Sequence, residues 1–330
     1  MRAISYDRFG AANDVLSLTE HDTAKPGAGE VCVELVFSGV NPSDVKARAG
    51  SRPGVTKPAY PQIIPHSDGS GLITSVGNDV DPARIGQRVW IWNGQWHRAS
   101  GTAATHIVLP SEQAVQLPDN TDLETGAVLG IPGLTAAHTV FGSGDISGKT
   151  VLVQGGAGTV GYLAVQLAKW GGARVIATAQ GAGVERCKKA GADAVLDYTA
   201  PDLADRILEA NGGEFLERII EVEFGKNIET DTAVIAPNGI ISAFGSAQNM
   251  TPVLPFYPLL FKAVSIDIVL IYLLTKIERM AAIERLHSAL EDKALDCPIE
   301  AIFPLAQTAK AHRLVEAGGR NGAILIEVTR

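Results

Sequence analysis

The amino-acid sequence predicts an α/β protein in which a parallel sheet, covered by helices on both faces, occupies the middle of the chain and a β-rich domain is built from the rest. Three observations carry this. Residues Lys149 to Lys169, KTVLVQGGAGTVGYLAVQLAK, run from an apolar Val151-Leu152-Val153 through a glycine-rich turn into a segment with Val160, Leu163, Ala164, Leu167 and Ala168 at helical spacing. Beyond it, strand-like and helix-like segments alternate, the pattern of a parallel sheet. Before it, short β-rich runs are separated by Gly, Pro, Asn and Asp, the pattern of an irregular antiparallel domain.

The N-terminal runs expected as strands are Glu30 to Phe37, Gly71 to Val76, Arg88 to Trp92 and Thr105 to Leu109. In the middle, strands are expected at Val151 to Gln154, Arg174 to Thr178, Ala194 to Asp197, Arg218 to Glu221 and Ile240 to Phe244. Helices are expected between them at Val160 to Trp170, Val184 to Ala190, Asp202 to Ala210 and Asn227 to Ala236. Two helical patterns, Lys276 to Leu290 and Ala309 to Ala317, precede a last strand at Ala323 to Val328. The apolar stretch Phe256 to Thr275 is interrupted by Pro258, Lys262 and Asp267, too soon for a membrane helix of about 20 residues, and reads as a buried strand or a contact between subunits.

Within the glycine turn, Gly156, Gly158 and Gly161 fit G-x-G-x-x-G. In that motif the glycines close the turn, let the backbone approach a pyrophosphate and let helix and strand pack tightly. The helix start at Thr159 and Val160 offers unpaired N–H groups to phosphate oxygens. The middle of the chain is thus expected to be a Rossmann-type dinucleotide-binding domain.

Composition narrows the class. The chain has 330 residues, 46% hydrophobic and 19% charged, as an ordinary globular protein does. Cys32, Cys187 and Cys297 are too few and too scattered for a disulfide framework or a zinc cluster. The opening MRAISYDRFG lacks the apolar core of a signal peptide, which points to a cytoplasmic location. A net charge of -8 disfavours nucleic acid as a partner.

The segments FGAANDVLSL, KPGAGEVCVELVFSGVNPSDVKARAG, IIPHSDGSGLITSVG, GQRVWIWNGQW and GIPGLTAAHTVF, followed by the glycine turn, resemble the medium-chain dehydrogenase/reductase superfamily, and within it the zeta-crystallin type of NADPH:quinone reductase. The resemblance runs over the whole chain. It implies a GroES-like catalytic domain from residues 1–122 and 271–330, around a Rossmann domain at residues 123–270. Where zinc-dependent members carry a Cys and a His, this chain has Asn41 and Ser67, with His66 displaced by one residue and read as a loop histidine. An amide and a hydroxyl are poor ligands for a catalytic zinc, so no metal is expected.

An acid near the end of the second strand would bind the ribose 2′-OH of NAD. Here the strand ends ATAQGAG with no acid before Glu185, which permits NADPH. Arg186 is the first candidate for the 2′-phosphate, and the resemblance places Tyr198 beside it. It also places Asn41 and Thr135 at the nicotinamide end, lined further by Gly245 and Ser246. Thr135 has the further reading of a helix cap, and Asp44 reads equally as a group that orients neighbouring backbone and as a catalytic one. Lys46 stands where many relatives carry Tyr, and it offers a charge for an anionic substrate group or a developing enolate. Ala323 stands where the family usually has Lys, which puts a cofactor contact there in doubt. Trp90, Trp92 and Trp96 form a candidate aromatic lining.

The reading that follows is a zinc-independent, NADPH-dependent reductase of quinones, with Asn41, Asp44 and Lys46 as candidate catalytic residues. The resemblance implies a homodimer paired through Val264 to Leu274. Two alternatives stand beside it: reduction of α,β-unsaturated carbonyls such as enones, alkenals or enoyl thioesters, in which Lys46, Tyr60 or His138 would supply a proton, and a non-catalytic, crystallin-like NADPH-binding protein.

Overall fold

The computed structural model describes residues 1–51 and 54–329. The chain forms two compact units, Met1–Ile131 with the segment from Cys297 onward, and Pro132–Asp296.

The second unit is built on six parallel strands. In spatial order they are Ala194–Leu196, Arg174–Thr178, Thr150–Val153, Leu216–Glu221, Ile235–Ala243 and Ser265–Ile268. The middle strands are buried on both faces, as the unbroken apolar run Val151-Leu152-Val153 requires. Strand order reverses between Thr150–Val153 and Leu216–Glu221, so the connections leaving their carboxyl ends diverge and open a crevice at the glycine turn.

The expected elements are present with small shifts at their ends. The largest shift concerns the strand expected from Ile240, which already begins at Ile235, where it pairs with Leu216, so the helix expected to reach Ala236 stops at Val234. The next register pair is Ile240 with Arg218, and the intervening loop bulges through Asn238 at φ 59°. The apolar stretch around residue 265 forms the exposed edge strand of the sheet, preceded by the helix Phe256–Phe261. Ile268, Leu270 and Leu273 remain open to solvent, Ile268 at 69%.

The first unit has a seven-stranded sheet. Its order is Ile299–Pro304, Ala323–Glu327, Glu30–Val40, Asp68–Val76, Arg88–Ile91 and Ala114–Gln116, with His106–Pro110 also paired to Glu30–Val40. All pairs are antiparallel except the two C-terminal strands, which run parallel. Both ends of the chain therefore share one sheet and one core, in which Val31, Val33 and Leu35 pack with Ile324 and Ile326.

The unit boundaries fall at Ile131 and Cys297 rather than after residues 122 and 270. The helix Lys276–Glu291 packs on the helix Leu134–Phe141. Beyond it, the Gln166 side chain donates to Asp296 O (2.9 Å) and accepts from Asp296 N (2.8 Å), which ties the segment to the parallel-sheet unit. Among the described residues, no helix is long and apolar enough to cross a membrane.

Candidate nucleotide and catalytic site

The glycine turn divides its labour residue by residue. A Cβ at Gly161 would overlap Gly155 O and come within 2.9 Å of Gly156 Cα, so the helix Thr159–Trp170 lies against the turn only because Gly161 has no side chain. A Cβ at Gly156 would meet Ala177 Cβ at 2.9 Å and Cys187 Sγ at 3.0 Å. At Gly158 the nearest atom would be Gly155 O, at 3.5 Å, leaving the backbone open to an approaching group. The helix begins directly after Gly158 with no side-chain cap, so the N–H groups of its first turn are available to an anion. These features fit the pyrophosphate of a dinucleotide. Gly155 itself, which the motif spacing did not single out, takes the left-handed conformation at φ 66° that starts the turn.

Arg186 is held at the turn. Its Nε donates to Ala157 O (2.9 Å) and its guanidinium lies 4.2 Å from the centre of the Tyr162 ring. Tyr198 donates from its hydroxyl to Gln180 Oε1 (3.2 Å), so the second strand ends beside a neutral pair in place of a carboxylate. Gly245 follows the fifth strand where a Cβ would overlap Val222 O. Ser246 Oγ accepts from Gly225 N (2.8 Å) and donates to Asn249 O (2.5 Å), which fixes the loop they share. Thr135 is buried one residue inside the helix Leu134–Phe141; the cap position belongs to Gly133. Burial against Gly156 pushes the Cys187 thiol up to about 11, which keeps it protonated and unreactive.

In the β-rich unit, Asn41 caps the helix Pro42–Ala49, and its backbone N–H donates to Asp44 Oδ2 (2.7 Å). Asp44 thus closes a capping box at the start of this helix. Lys46 is exposed on the last turn of the same helix. The Asn41 side chain donates from Nδ2 to Asp68 Oδ2 (2.8 Å). Asp68, a residue that the sequence reading passed over, is fully buried and also accepts from Ile131 N at 2.9 and 3.0 Å. Burial holds its carboxyl well above the usual range, and the Asp44 charge adds to this against the two hydrogen bonds.

His66 lies in a loop, as expected, but it is buried, at φ 77°, and stands at the centre of a polar chain. Donor counting fixes the protons along it. Thr102 spends its hydroxyl proton on Asp68 O (2.5 Å), so Ser38 donates to Thr102 Oγ1 (2.8 Å) and His66 Nδ1–H donates to Ser38 Oγ (2.9 Å). His312 Nε2–H then donates to His66 Nε2 (2.8 Å), leaving His312 Nδ1 a bare lone pair without a hydrogen-bond partner among the described residues. Burial brings the His66 pKa down to about 3. It also holds His312 well below its ordinary value, with His66 and the Arg48 guanidinium adding to the effect. Arg48 in turn binds Gly10 O and Glu316, fastening the helix Thr308–Ala317 to the helix Pro42–Ala49.

The tryptophans separate. Trp90 is core, Trp92 Nε1 donates to Glu112 O (3.2 Å), and Trp96 packs edge-on to His97 at 4.4 Å. Trp96 and Tyr60 share a cavity of about 240 Å³ with Tyr6, Phe9 and Ile63. Ala323 is a buried strand residue whose methyl group offers nothing to a cofactor.

Comparison with known proteins matches residues 27–119 to the alcohol dehydrogenase GroES-like domain and residues 159–288 to the zinc-binding dehydrogenase family. The chain belongs to the medium-chain dehydrogenase/reductase superfamily. It is 29% identical over 332 residues to the quinone oxidoreductase of Rattus norvegicus, covering 99% of this chain and 97% of the relative. It is 30% identical over 321 residues to a phenolphthiocerol/phthiocerol polyketide synthase of Mycobacterium tuberculosis, covering 96% of this chain but only 14% of that much longer protein. A mycobacterial structure complexed with NADPH superposes with a TM-score of 0.87 at 26% identity, covering 99% of this chain and all of the other.

Although one matched domain family of the superfamily is described as zinc-binding, the donor set at Asn41 and His66 does not fit a zinc ion. Asn41 gives its amide protons to Asp68, and the His66 ring is bonded at both nitrogens. Among the described residues, no three His, Cys, Asp or Glu side chains are grouped to hold a metal.

Proposed function

We propose that this superfamily member is a zinc-independent, NADPH-dependent reductase of quinones. The observation that carries the cofactor choice is the neutral Gln180–Tyr198 pair at the end of the second strand, with the Arg186 guanidinium at the neighbouring turn. A carboxylate there would repel a 2′-phosphate, whereas a neutral amide and phenol accept it. Bound at the turn, NADPH supplies the hydride. The chain's own part is positional: in the parallel-sheet unit Gly158 and the helix start would receive the pyrophosphate, Arg186 and Tyr198 the adenosine phosphate, and Thr135 and the Gly245-Ser246 loop the nicotinamide end; Asn41 is the candidate contact that the β-rich unit offers. Asp68 and Asp44 hold Asn41 in place. Lys46 offers its charge to an anionic acceptor. A quinone takes its protons from water, so no buried acid is demanded of the protein. The similarity to the rat quinone oxidoreductase over nearly the full length of both chains supports the acceptor class.

We infer also that the protein is a homodimer. The strand Ser265–Ile268 is an unpaired sheet edge flanked by the exposed apolar side chains Ile268, Leu270, Leu273, Ile277 and Met280, which a second copy would cover.

The test follows NADPH absorbance with 1,4-benzoquinone, 9,10-phenanthrenequinone and a simple enone, with NADH and EDTA as controls. EDTA-insensitive NADPH oxidation by a quinone is the expected result. Turnover of the enone alone would move the assignment to double-bond reduction, and binding without turnover of any acceptor would overturn the catalytic reading.

A further inference from the structure

Beneath the glycine turn, the parallel-sheet unit buries two carboxyl groups against each other. Glu221 ends the strand Leu216–Glu221 and Asp231 lies on the helix Phe224–Val234; both are fully buried, and Asn227, one turn before Asp231 on that helix, donates to Glu221, so the two carboxyl groups lie close enough to act on one another's protonation. Two carboxyl groups that close and that buried keep one proton between them. Glu221 accepts from Asn227 Nδ2 at 3.1 and 3.2 Å and from Glu223 N, so it is the charged acceptor. Asp231 Oδ1 accepts from Gln154 Nε2 (3.0 Å), while Oδ2 is buried with no hydrogen-bond partner among the described residues, so Oδ2 is the oxygen on which a proton costs no existing bond.

From Gln154 the chain of bonds reaches the cofactor turn. Gln154 Oε1 accepts from Thr178 Oγ1 (2.8 Å), and Thr178 Oγ1 accepts from Gly155 N (3.0 Å). Gly155 is the residue in left-handed conformation that starts the turn. Asp231 is thus joined, through two neutral side chains, to the amide on which the turn's geometry depends.

We propose that Asp231 is a positioning residue for the nucleotide turn: the proton it shares with Glu221 keeps Gln154, Thr178 and the Gly155 amide in the binding arrangement, and its loss loosens the turn. This rests on the cofactor reading given above. The charged groups that act on Asp231 and Glu221 are each other and, from the bend after the strand, Glu223; Gln154, Thr178 and Asn227 are neutral. Deprotonation therefore leaves two like charges side by side with no cation acting on them. Burial, and after it the Glu221 charge, accordingly hold the Asp231 carboxyl well above its ordinary value.

The experiment titrates NADPH and NADH binding by nicotinamide fluorescence between about pH 5 and about pH 9, with the wild type and Asp231→Asn. The asparagine can still accept from Gln154 and has no proton to lose. Wild-type affinity is expected to fall for both nucleotides, approaching tenfold per pH unit above the pair's pKa, because one proton is linked to binding. Asp231→Asn is expected to show no such fall. A decline for NADPH alone would trace the effect to the 2′-phosphate and overturn the proposal, as would parallel profiles in the two proteins. If the first variant does not fold, Thr178→Val serves instead: it keeps the acid pair but cuts the bonds to Gln154 and Gly155, and is expected to weaken both nucleotides and to flatten the profile. Thermal unfolding of the nucleotide-free protein supplies the independent readout: the wild type is expected to lose stability as pH rises through the pair's pKa and Asp231→Asn to lose none. Absence of NADPH binding at every pH would overturn the cofactor reading and this inference together; parallel profiles in a protein that binds NADPH overturn this inference alone.

Discussion

Replacing His66 with Asn should remove the share of the β-rich unit's acid sensitivity that comes from this imidazole and leave that of His312. The His66 ring is buried and neutral, bonded to Ser38 and His312, and its pKa is brought down to about 3 from 6.5. A depressed folded pKa means that the stability is fully present above the unfolded value of 6.5 and drains away as pH falls toward about 3. Each pH unit within that window costs about 1.4 kcal/mol, so the whole span removes about 5 kcal/mol, of which about 2 kcal/mol has gone by about pH 5. Asparagine tolerates the left-handed backbone at this position, where φ is 77°, and its amide can still donate to Ser38. At neutral pH the variant should be less stable than the wild type by about 1–3 kcal/mol, because the His312 Nε2–H loses its acceptor. Near about pH 5 the difference should have closed. Urea unfolding followed by tryptophan fluorescence reads this directly, since Trp90, Trp92 and Trp96 all lie in the β-rich unit. Stability curves for the two proteins that stay parallel between neutral and acid pH would refute the reasoning, and with it the assignment of a neutral buried imidazole.

Other consequences are open to the same kind of test. Arg186→Ala should weaken NADPH about ten- to hundredfold more than NADH, the worth of one charge-assisted contact; equal losses in fluorescence titrations would leave Arg186 only its contacts with Ala157 and Tyr162. Gly161→Ala places a methyl group on Gly155 O and should lower stability by about 1–3 kcal/mol and abolish measurable nucleotide binding, read by thermal unfolding and by titration. Ile268→Lys puts a charge on the exposed sheet edge and should convert a dimer to a monomer in light scattering without loss of fold. A wild type that is already monomeric would dispose of the dimer reading.

Much of the parallel-sheet unit was legible because its signals are local. A strand with three consecutive buried residues, a turn of small residues and a helix with one apolar face each fit within about a dozen residues, and their periodicities are set by backbone geometry. The helix Lys276–Glu291 was legible as a helix but not as part of this unit, because its membership depends on Gln166 holding Asp296. The start of the strand at Ile235 was read as the end of the helix Asn227 to Ala236, because only its pairing with Leu216 makes it a strand.

The candidate site divides in the same way. By itself the sequence determined that Gly156, Gly158 and Gly161 close a turn between strand and helix and that no acid stands near the end of the second strand, since both are matters of spacing along the chain. Only the tertiary structure decided which polar groups stand behind these residues. Asn41 meets Asp68 across 27 residues, Gln154 meets Asp231 across 77, and His66 meets His312 across 246. A buried polar side chain must find a partner wherever the fold brings one. No periodicity announces that choice, because the energy that rewards it comes from removing both groups from water together.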